Sequence, residues 1–354
     1  FKHIVLCLDN DERRPDENKS VIRGKEAKAM ITPLLHHKDV YTIEMGAFKD
    51  PREMYEQDKE GLLNQLIYER KPYKPSLFEQ QKDIDLKEIF QEIPRGITLE
   101  SMPLLSGRIG GIRKKELIMV IGNAGSGKTT LMQNIQYQLM KKNKKTYGMY
   151  LEGSFEESMG RFSAIELEMS YREFQSKRKD IINDPNKLEK LSNFLQSPNT
   201  HWCRRQGAVK IPDLMDALKF LHVKHAVEYF FIDHISYLTQ GDLEKENQIL
   251  SDVCTALSDF VAEHGVTVIC ACQTGKMAME LNKYRSVTSD AIRGSSVVKE
   301  KATTCIAIQE FINNSYEKTK ARLLVDKNRS FGTTGLCDII KIEKSKIVNL
   351  EEND

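Results

Sequence analysis

The clearest pattern of apolar and polar positions in the chain is the run Leu117-Ile118-Met119-Val120-Ile121, followed by a glycine-rich turn and then apolar residues at helical spacing from 130 to 140. An unbroken apolar run of this length suits a strand buried on both faces, whereas recurrence at i, i+3 and i+4 marks a helix with one buried stripe. The alternation continues downstream. Apolar runs at 147–151, 229–232, 267–272 and 322–325 are separated by polar, helix-rich stretches, notably 159–196 and the helix that opens at Ile211-Pro212. Strands alternating with helices predict an α/β fold built on a mostly parallel sheet. Upstream, His3-Ile4-Val5-Leu6-Cys7-Leu8 predicts a strand and 24–35 a helix. Between these regions Pro72, Pro75, Pro94 and Pro103 mark a linker carrying one amphipathic helix over 86–93. Its stripe of Leu86, Ile89, Phe90 and Ile93 would dock on its own core or on a neighbouring subunit. The expected division is 1–71, a linker over 72–103, and a large unit over 104–354. The chain opens in what reads as mid-strand, as expected of a piece of a longer protein.

Composition narrows the class without naming a partner. The 354 residues are 40% hydrophobic and 29% charged, with a net charge of +2. These values predict a soluble globular protein, and no run approaches the ~18 apolar residues of a membrane span. Any nucleic-acid surface must therefore come from local clustering of Lys and Arg. The seven cysteines are scattered through apolar runs with no C-x-x-C pair, and read as reduced core residues.

The chemistry centres on Gly122-Asn123-Ala124-Gly125-Ser126-Gly127-Lys128-Thr129, which fits G-x-x-x-x-G-K-[ST] at every fixed position. Strand, glycine loop and helix occur in the order that a phosphate-binding loop needs. Glycines let backbone N–H groups approach phosphate oxygens, the helix N-terminus adds a favourable dipole, and Lys128 reaches the β- and γ-phosphates. Thr129 would hold Mg²⁺, and Thr130 completes the nucleotide-binding set. Asp233 ends the apolar run 229–232, where ligands bind in open α/β sheets, and is expected to hold Mg²⁺ as well. Gln273 ends another run, followed by Lys276, Lys283 and Arg285 in a polar stretch before Asp290-Ala291-Ile292-Arg293-Gly294-Ser295. Cations on such a loop suit a phosphate backbone, and equally an ordinary solvated loop. Residues 322–329 read as a strand ending in Lys327 and Arg329, with 331–335 a turn into a last strand at 337–342. An arginine at a rim can enter a neighbour's site or form a surface salt bridge. Asp9 and Asp11 end the first strand two residues apart, on one side of an extended segment. They could meet one Mg²⁺ or form a solvated acidic turn.

Taken together, these segments resemble the RecA-like motor of the DnaB superfamily, most closely the primase-helicases of short-tailed phages and the mitochondrial helicase Twinkle. The motifs stand in family order: the phosphate loop, Leu151-Glu152-Gly153-Ser154-Phe155-Glu156, Ile232-Asp233-His234-Ile235-Ser236, Gln273, Arg293-Gly294-Ser295 and Lys327-Asn328-Arg329. Residues 1–71 resemble the latter part of a TOPRIM domain, without the strand whose glutamate completes that metal site in the family. The resemblance implies a P-loop ATPase core preceded by a partial TOPRIM domain. It also implies ATP or another NTP or dNTP with Mg²⁺, and either Glu152 or Glu156 to polarise the attacking water. Gln273 would be a γ-phosphate sensor, Arg329 a finger acting in trans with Lys327 beside it, and Arg293, Gly294, Ser295 and Lys299 contacts to single-stranded DNA. Further implications are forked DNA as substrate, a homo-oligomeric, hexameric ring, a replisome polymerase as partner, and no membrane. The compartment implied is the cytoplasm of a phage-infected bacterium or, alternatively, the mitochondrial matrix. The expected function is a 5′→3′ replicative helicase; the rival is a RecA/RadA-type recombination ATPase that binds DNA without unwinding it.

Overall fold

Strand β1 (His3–Leu6) pairs in parallel with β2 (Asp39–Thr42), which pairs antiparallel with the short β3 (Lys71–Pro72). Helices α1 (Gly24–Ile31), α2 (Pro51–Gln57) and α3 (Lys59–Asn64) accompany this three-stranded sheet. Asp50 caps α2 by accepting from the Glu53 N–H at 2.8 Å, with Pro51 at the first helical position, so the helix start is written locally. The computed structural model describes residues 3–9, 24–35, 38–73, 90, 94–238, 246–273, 295–312 and 318–350. The chain divides into two units, Phe1–Glu92 and Ile93–Asp354. The expected amphipathic helix over 86–93 lies outside the described residues except for Phe90.

In the larger unit α4 (Pro103–Ile109) precedes β4 (Leu117–Gly122), which runs through the phosphate loop into α5 (Lys128–Lys141). Next come β5 (Thr146–Tyr150), α6 (Phe155–Glu166), the short helices α7 (Tyr171–Ser176), α8 (Arg178–Ile182) and α9 (Pro185–Leu195), and β6 (Thr200–Trp202). Helix α10 (Ile211–His225) leads to β7 (Tyr229–Asp233), and α11 (Glu246–His264) to β8 (Thr267–Gln273). After α12 (Ser295–Lys301) come β9 (Thr304–Ile312), β10 (Lys318–Asn328), β11 (Gly335–Glu343) and β12 (Lys346–Leu350). Among the described residues these strands form one sheet in the order β12-β11-β10-β9-β4-β8-β7-β5-β6. The strands from β9 to β6 in that order run parallel, and β10 to β12 extend the sheet antiparallel.

Strand β4 is buried throughout because it faces a core on each side. Leu117, Met119 and Ile121 enter one hydrophobic cluster, Ile118 and Val120 the other. Leu99 and Met102, in the stretch read from sequence as linker, are fully buried in the second cluster, and Ile97 bridges to Ile112.

The strand over 337–342 is not the last. Strand β11 is followed by β12 through a two-residue turn in which Lys344 (φ 48°) and Ser345 (φ 65°) are both left-handed. That geometry matches the twist of a hairpin, but it is usually announced by Asn-Gly or Asp-Gly. Here the tertiary structure supplies what the turn residues lack. Asn134 on α5 donates to the Ser345 carbonyl at 3.2 Å and accepts from the Ile347 N–H at 2.9 Å.

Asp338 of β11, fully buried, accepts from the Leu104 and Leu105 N–H groups at 3.1 and 2.7 Å, and so caps the first turn of α4 from across the fold. Asp338→Ala orphans both donors, and should lower the unfolding free energy of the larger unit by about 1–3 kcal/mol in urea titration. A change within about 0.5 kcal/mol would contradict this capping role.

Candidate nucleotide-binding and hydrolysis site

Parallel strands deliver their C-terminal ends to one edge of the sheet, and the central sequence-predicted residues collect there. Gly122 at the end of β4 lies opposite Gln273 at the end of β8, and Tyr150 at the end of β5 lies opposite Asp233 at the end of β7. The loops leaving these strands line a cleft of about 530 Å³. From the expected set the cleft gathers Ala124, Gly125, Gly127, Lys128, Thr129, Thr130, Glu152, Asp233 and Gln273.

The phosphate loop is shaped by close approach. A Cβ on Gly122 would stand 2.3 Å from Ser126 Oγ, and Gly125 and Gly127 occupy φ of 70° and 91°. Buried Lys128 folds back over the loop, its ammonium donating to the carbonyls of Gly122 at 3.0 Å and Asn123 at 2.7 Å. Ser126 Oγ is buried without a hydrogen-bond partner. This cradle suits a polyphosphate, with glycines where side chains would intrude and an ammonium held over the loop.

Asp233 is only 1% exposed, and its Oδ1 has no hydrogen-bond partner. Burial pushes its carboxyl up to about 6, with Glu152 adding to the shift, while a hydrogen bond from Thr129 and the charge of Lys128 oppose it. An orphaned, desolvated carboxylate oxygen beside a threonine hydroxyl fits a hard divalent cation, so Thr129 and Asp233 would hold Mg²⁺. His234 is pushed down to about 4, by burial first and by Lys128 second, and is therefore a neutral imidazole at neutral pH.

The two candidate glutamates separate. Glu152 lines the cleft; Glu156, on the first turn of α6, is exposed and does not. Glu157 takes that side of the cleft instead, paired with Arg161 one turn later at 2.7 Å. The spacing Ser154-x-x-Glu157 carries the signal that sequence reasoning missed. Ser154 caps α6 by accepting from the Glu157 N–H at 3.0 Å, which sets the helical phase and turns Glu157, Ser158 and Arg161 toward the cleft. Tyr150 and Gln133 also line it, with the buried Tyr150 hydroxyl donating to Gln136 at 2.7 Å.

Other expected residues lie elsewhere. Arg329 and Lys327 are not part of the cleft lining. Asn328 pairs with Thr304, and Thr304 with Ile118 near the start of β4, so Arg329 sits at the opposite edge of the sheet from its own phosphate loop. That is about 13 Å along the strands and about 10 Å across them. Ser295 opens α12, and Lys299 in the same helix stands 4.0 Å from Asp326. Lys276, Lys283, Arg285, Arg293 and Gly294 lie outside the described residues, as does Asp11. Asp9 is exposed beyond the end of β1, and no group of three or more metal-ligating side chains occurs among the described residues.

The raised carboxyl of Asp233 sets a pH dependence. A cation binds the ionised form, so protons compete below about pH 6 and affinity falls by up to about tenfold per pH unit. Mg²⁺ affinity, read from thermal shifts of the nucleotide-free protein, should drop between about pH 7.5 and 5, and Asp233→Asn should flatten that slope. Equal affinity at both pH values in the unsubstituted protein would contradict the assignment.

The DnaB-like helicase C terminal domain matches residues 99–346. In three dimensions the chain is similar to a solved ATPase domain, with 16% identity and a TM-score of 0.61, covering 75% of this chain and 94% of that one. It is also similar to a DnaB-like replicative helicase described with its interactions with primase, at 16% identity and a TM-score of 0.60, covering 75% of this chain and 64% of that one. Likeness at this identity speaks to fold alone, and the fold is a RecA-like α/β one with a large, mostly parallel sheet. No curated protein matches the chain. A family match over more than half its length, on a sheet whose edge gathers phosphate loop, buried aspartate and strand-end glutamine, establishes that the chain belongs to the DnaB-like helicases, a family of NTP-hydrolysing enzymes.

Proposed function

We propose that the chain is the motor of a replicative helicase that assembles as a hexameric ring and moves 5′→3′ on single-stranded DNA, hydrolysing ATP or a related nucleotide between subunits. The observation that carries this reading is the position of Arg329. It occupies the sheet edge opposite its own phosphate loop, which leaves its charge to serve a nucleotide held by another copy. A finger supplied in trans is worth about 10³–10⁵ in rate, which makes assembly and turnover one event.

Within this reading Glu152 orients the attacking water, and Gln273, one strand from the phosphate loop, reports the γ-phosphate to the segment that follows it. Beside the loop a second hollow of about 180 Å³ is lined by Ile308, Ala321, Ile340 and Ile347 together with Lys320 and Lys341. Apolar walls with two cations suit a nucleobase and its sugar. Arg293, Gly294, Ser295 and Lys299 contact the DNA backbone. Strands β11 and β12 contain no aromatic residue for base stacking, in keeping with translocation that ignores sequence. Residues 1–71 act as a TOPRIM-derived module, with Asp9 and Asp11 as its cation ligands, and a replisome polymerase or primase as partner.

Arg329→Ala should lower kcat by about 10³-fold or more while leaving nucleotide affinity within about threefold; near-normal turnover would contradict the finger role. On a forked duplex the unsubstituted protein should release a strand only with ATP. Strand pairing without release would favour a recombination-type ATPase over a helicase.

A further inference from the structure

Arg329 follows the last residue of a strand, and a residue there is held by the turn it enters. After β10 the chain closes on itself. Buried Asn328 accepts from the Phe331 N–H at 3.3 Å through Oδ1, and its carbonyl accepts from the Gly332 N–H at 2.9 Å. The turn is also tied to the end of α4, where the Arg108 carbonyl accepts from Asn328 Nδ2 at 3.0 Å and from Thr333 Oγ1 at 2.7 Å. The two residues after Arg329 meet a buried ion pair that takes no part in the nucleotide cleft. Arg113 donates through Nη2 to Glu116 Oε1, and Ser330 Oγ donates to the same oxygen at 3.5 Å. The Arg113 guanidinium lies 4.3 Å from the centre of the Phe331 ring. Two glycines leave room for this arrangement. A Cβ on Gly110, itself left-handed at φ 73°, would stand 2.4 Å from the Phe331 ring, and one on Gly96 would stand 2.7 Å from Arg113 Cγ.

As a source of stability the pair is poor. Arg113 and Glu116 are 6% and 2% exposed, and among the described residues Arg113 Nε and Nη1 and Glu116 Oε2 have no hydrogen-bond partner. Burial pushes the Glu116 carboxyl up, against the opposing charge and hydrogen bond of Arg113. Buried ion pairs of this kind seldom recover their desolvation, and apolar side chains of similar volume serve stability as well or better. What the pair supplies instead is direction. A desolvated guanidinium attracts the face of an aromatic ring more strongly than an exposed one does, and the carboxylate fixes how that guanidinium lies. Phe331 is 46% exposed and belongs to none of the hydrophobic clusters, so the stack is its main anchor.

We propose that Arg113 and Phe331 are positioning residues: the stack of the Phe331 ring on the Arg113 guanidinium closes the turn after β10, and so holds Arg329 where a nucleotide on a neighbouring copy can meet it. This rests on the reading of Arg329 as a finger acting in trans.

The test is ATP hydrolysis by the full chain over a range of ATP and protein concentrations. It compares Phe331→Leu, Phe331→Tyr and the double variant Arg113→Met/Glu116→Gln, each alone and in an Arg329→Ala background. The double variant removes both charges together, since Arg113→Met alone would strand a buried carboxylate. Phe331→Leu alters a half-exposed side chain and decides the matter if the double variant does not fold. Misplacing a group that acts on the reacting atoms by about 1 Å costs on the order of 10²-fold. Phe331→Leu and the double variant should therefore lower kcat by about tenfold or more, with KM for ATP within about twofold. Phe331→Tyr, which keeps the ring, should stay within about twofold of the unsubstituted chain. In the Arg329→Ala background the further loss should shrink below about twofold, because a residue that acts only through the finger has nothing left to place. An equal loss in both backgrounds marks a merely structural turn and overturns the proposal. So does a raised KM at unchanged kcat, and so does a rate that higher protein concentration restores, the mark of a direct contact with the neighbouring copy. Near-normal kcat for Phe331→Leu beside a disabled Arg329→Ala overturns the proposal and leaves the finger standing. Near-normal turnover by Arg329→Ala sinks the trans reading, and the proposal with it.

Discussion

The burial of β4 on both faces and along both edges is the constraint on which the site depends. Its alternate residues anchor two separate cores, and its neighbours β8 and β9 pair with it in parallel. A strand held this way cannot slip by one residue without exchanging its two faces. The glycine loop that follows it therefore starts from a fixed point. The same parallel pairing brings the ends of β5, β7 and β8 to that edge, which is why Glu152, Asp233 and Gln273 converge although they lie far apart in sequence. Topology also explains where Arg329 lies. Strand β9 is parallel to β4 and β10 returns antiparallel to β9, so the end of β10 arrives at the edge where β4 begins.

Around the nucleotide cleft the protein holds ionisable groups away from water. Asp233 is desolvated with its carboxyl raised to about 6, and His234 beside it is depressed to about 4. These shifts act on stability in opposite senses. The contribution of Asp233 is fully present below about pH 4 and is lost as pH rises through about 6, whereas that of His234 is present above about 6.5 and lost as pH falls toward 4. At neutral pH the buried carboxylate is therefore a cost to the nucleotide-free fold, and a bound cation would offset it. Perturbed groups facing one cleft are a usual mark of a functional site.

Much of this was legible in the sequence because each central residue ends an apolar run. Gly122, Asp233 and Gln273 lie where a buried strand stops, and period and length are local properties. What escaped depends on phase or on distant partners. Glu156 and Glu157 differ by one residue, yet helical phase, set by the Ser154 cap, puts only the second in the cleft. Strand β12 lacks a turn signature because Asn134, far away in sequence, supports the Lys344-Ser345 turn. Burial of Leu99 and Met102 is similarly a tertiary fact within a stretch whose prolines suggest a linker.

The claim on which the functional reading rests is that a working site needs two copies of the chain. The most direct measurement is ATP hydrolysis per subunit against protein concentration in one Mg²⁺ buffer at fixed moderate salt, with and without single-stranded DNA. A rate that climbs steeply with concentration, and again on adding DNA, is the expected result for a composite site coupled to a DNA channel. A rate that is flat in concentration and indifferent to DNA would show a self-contained ATPase, and would contradict both the trans role of Arg329 and the helicase reading.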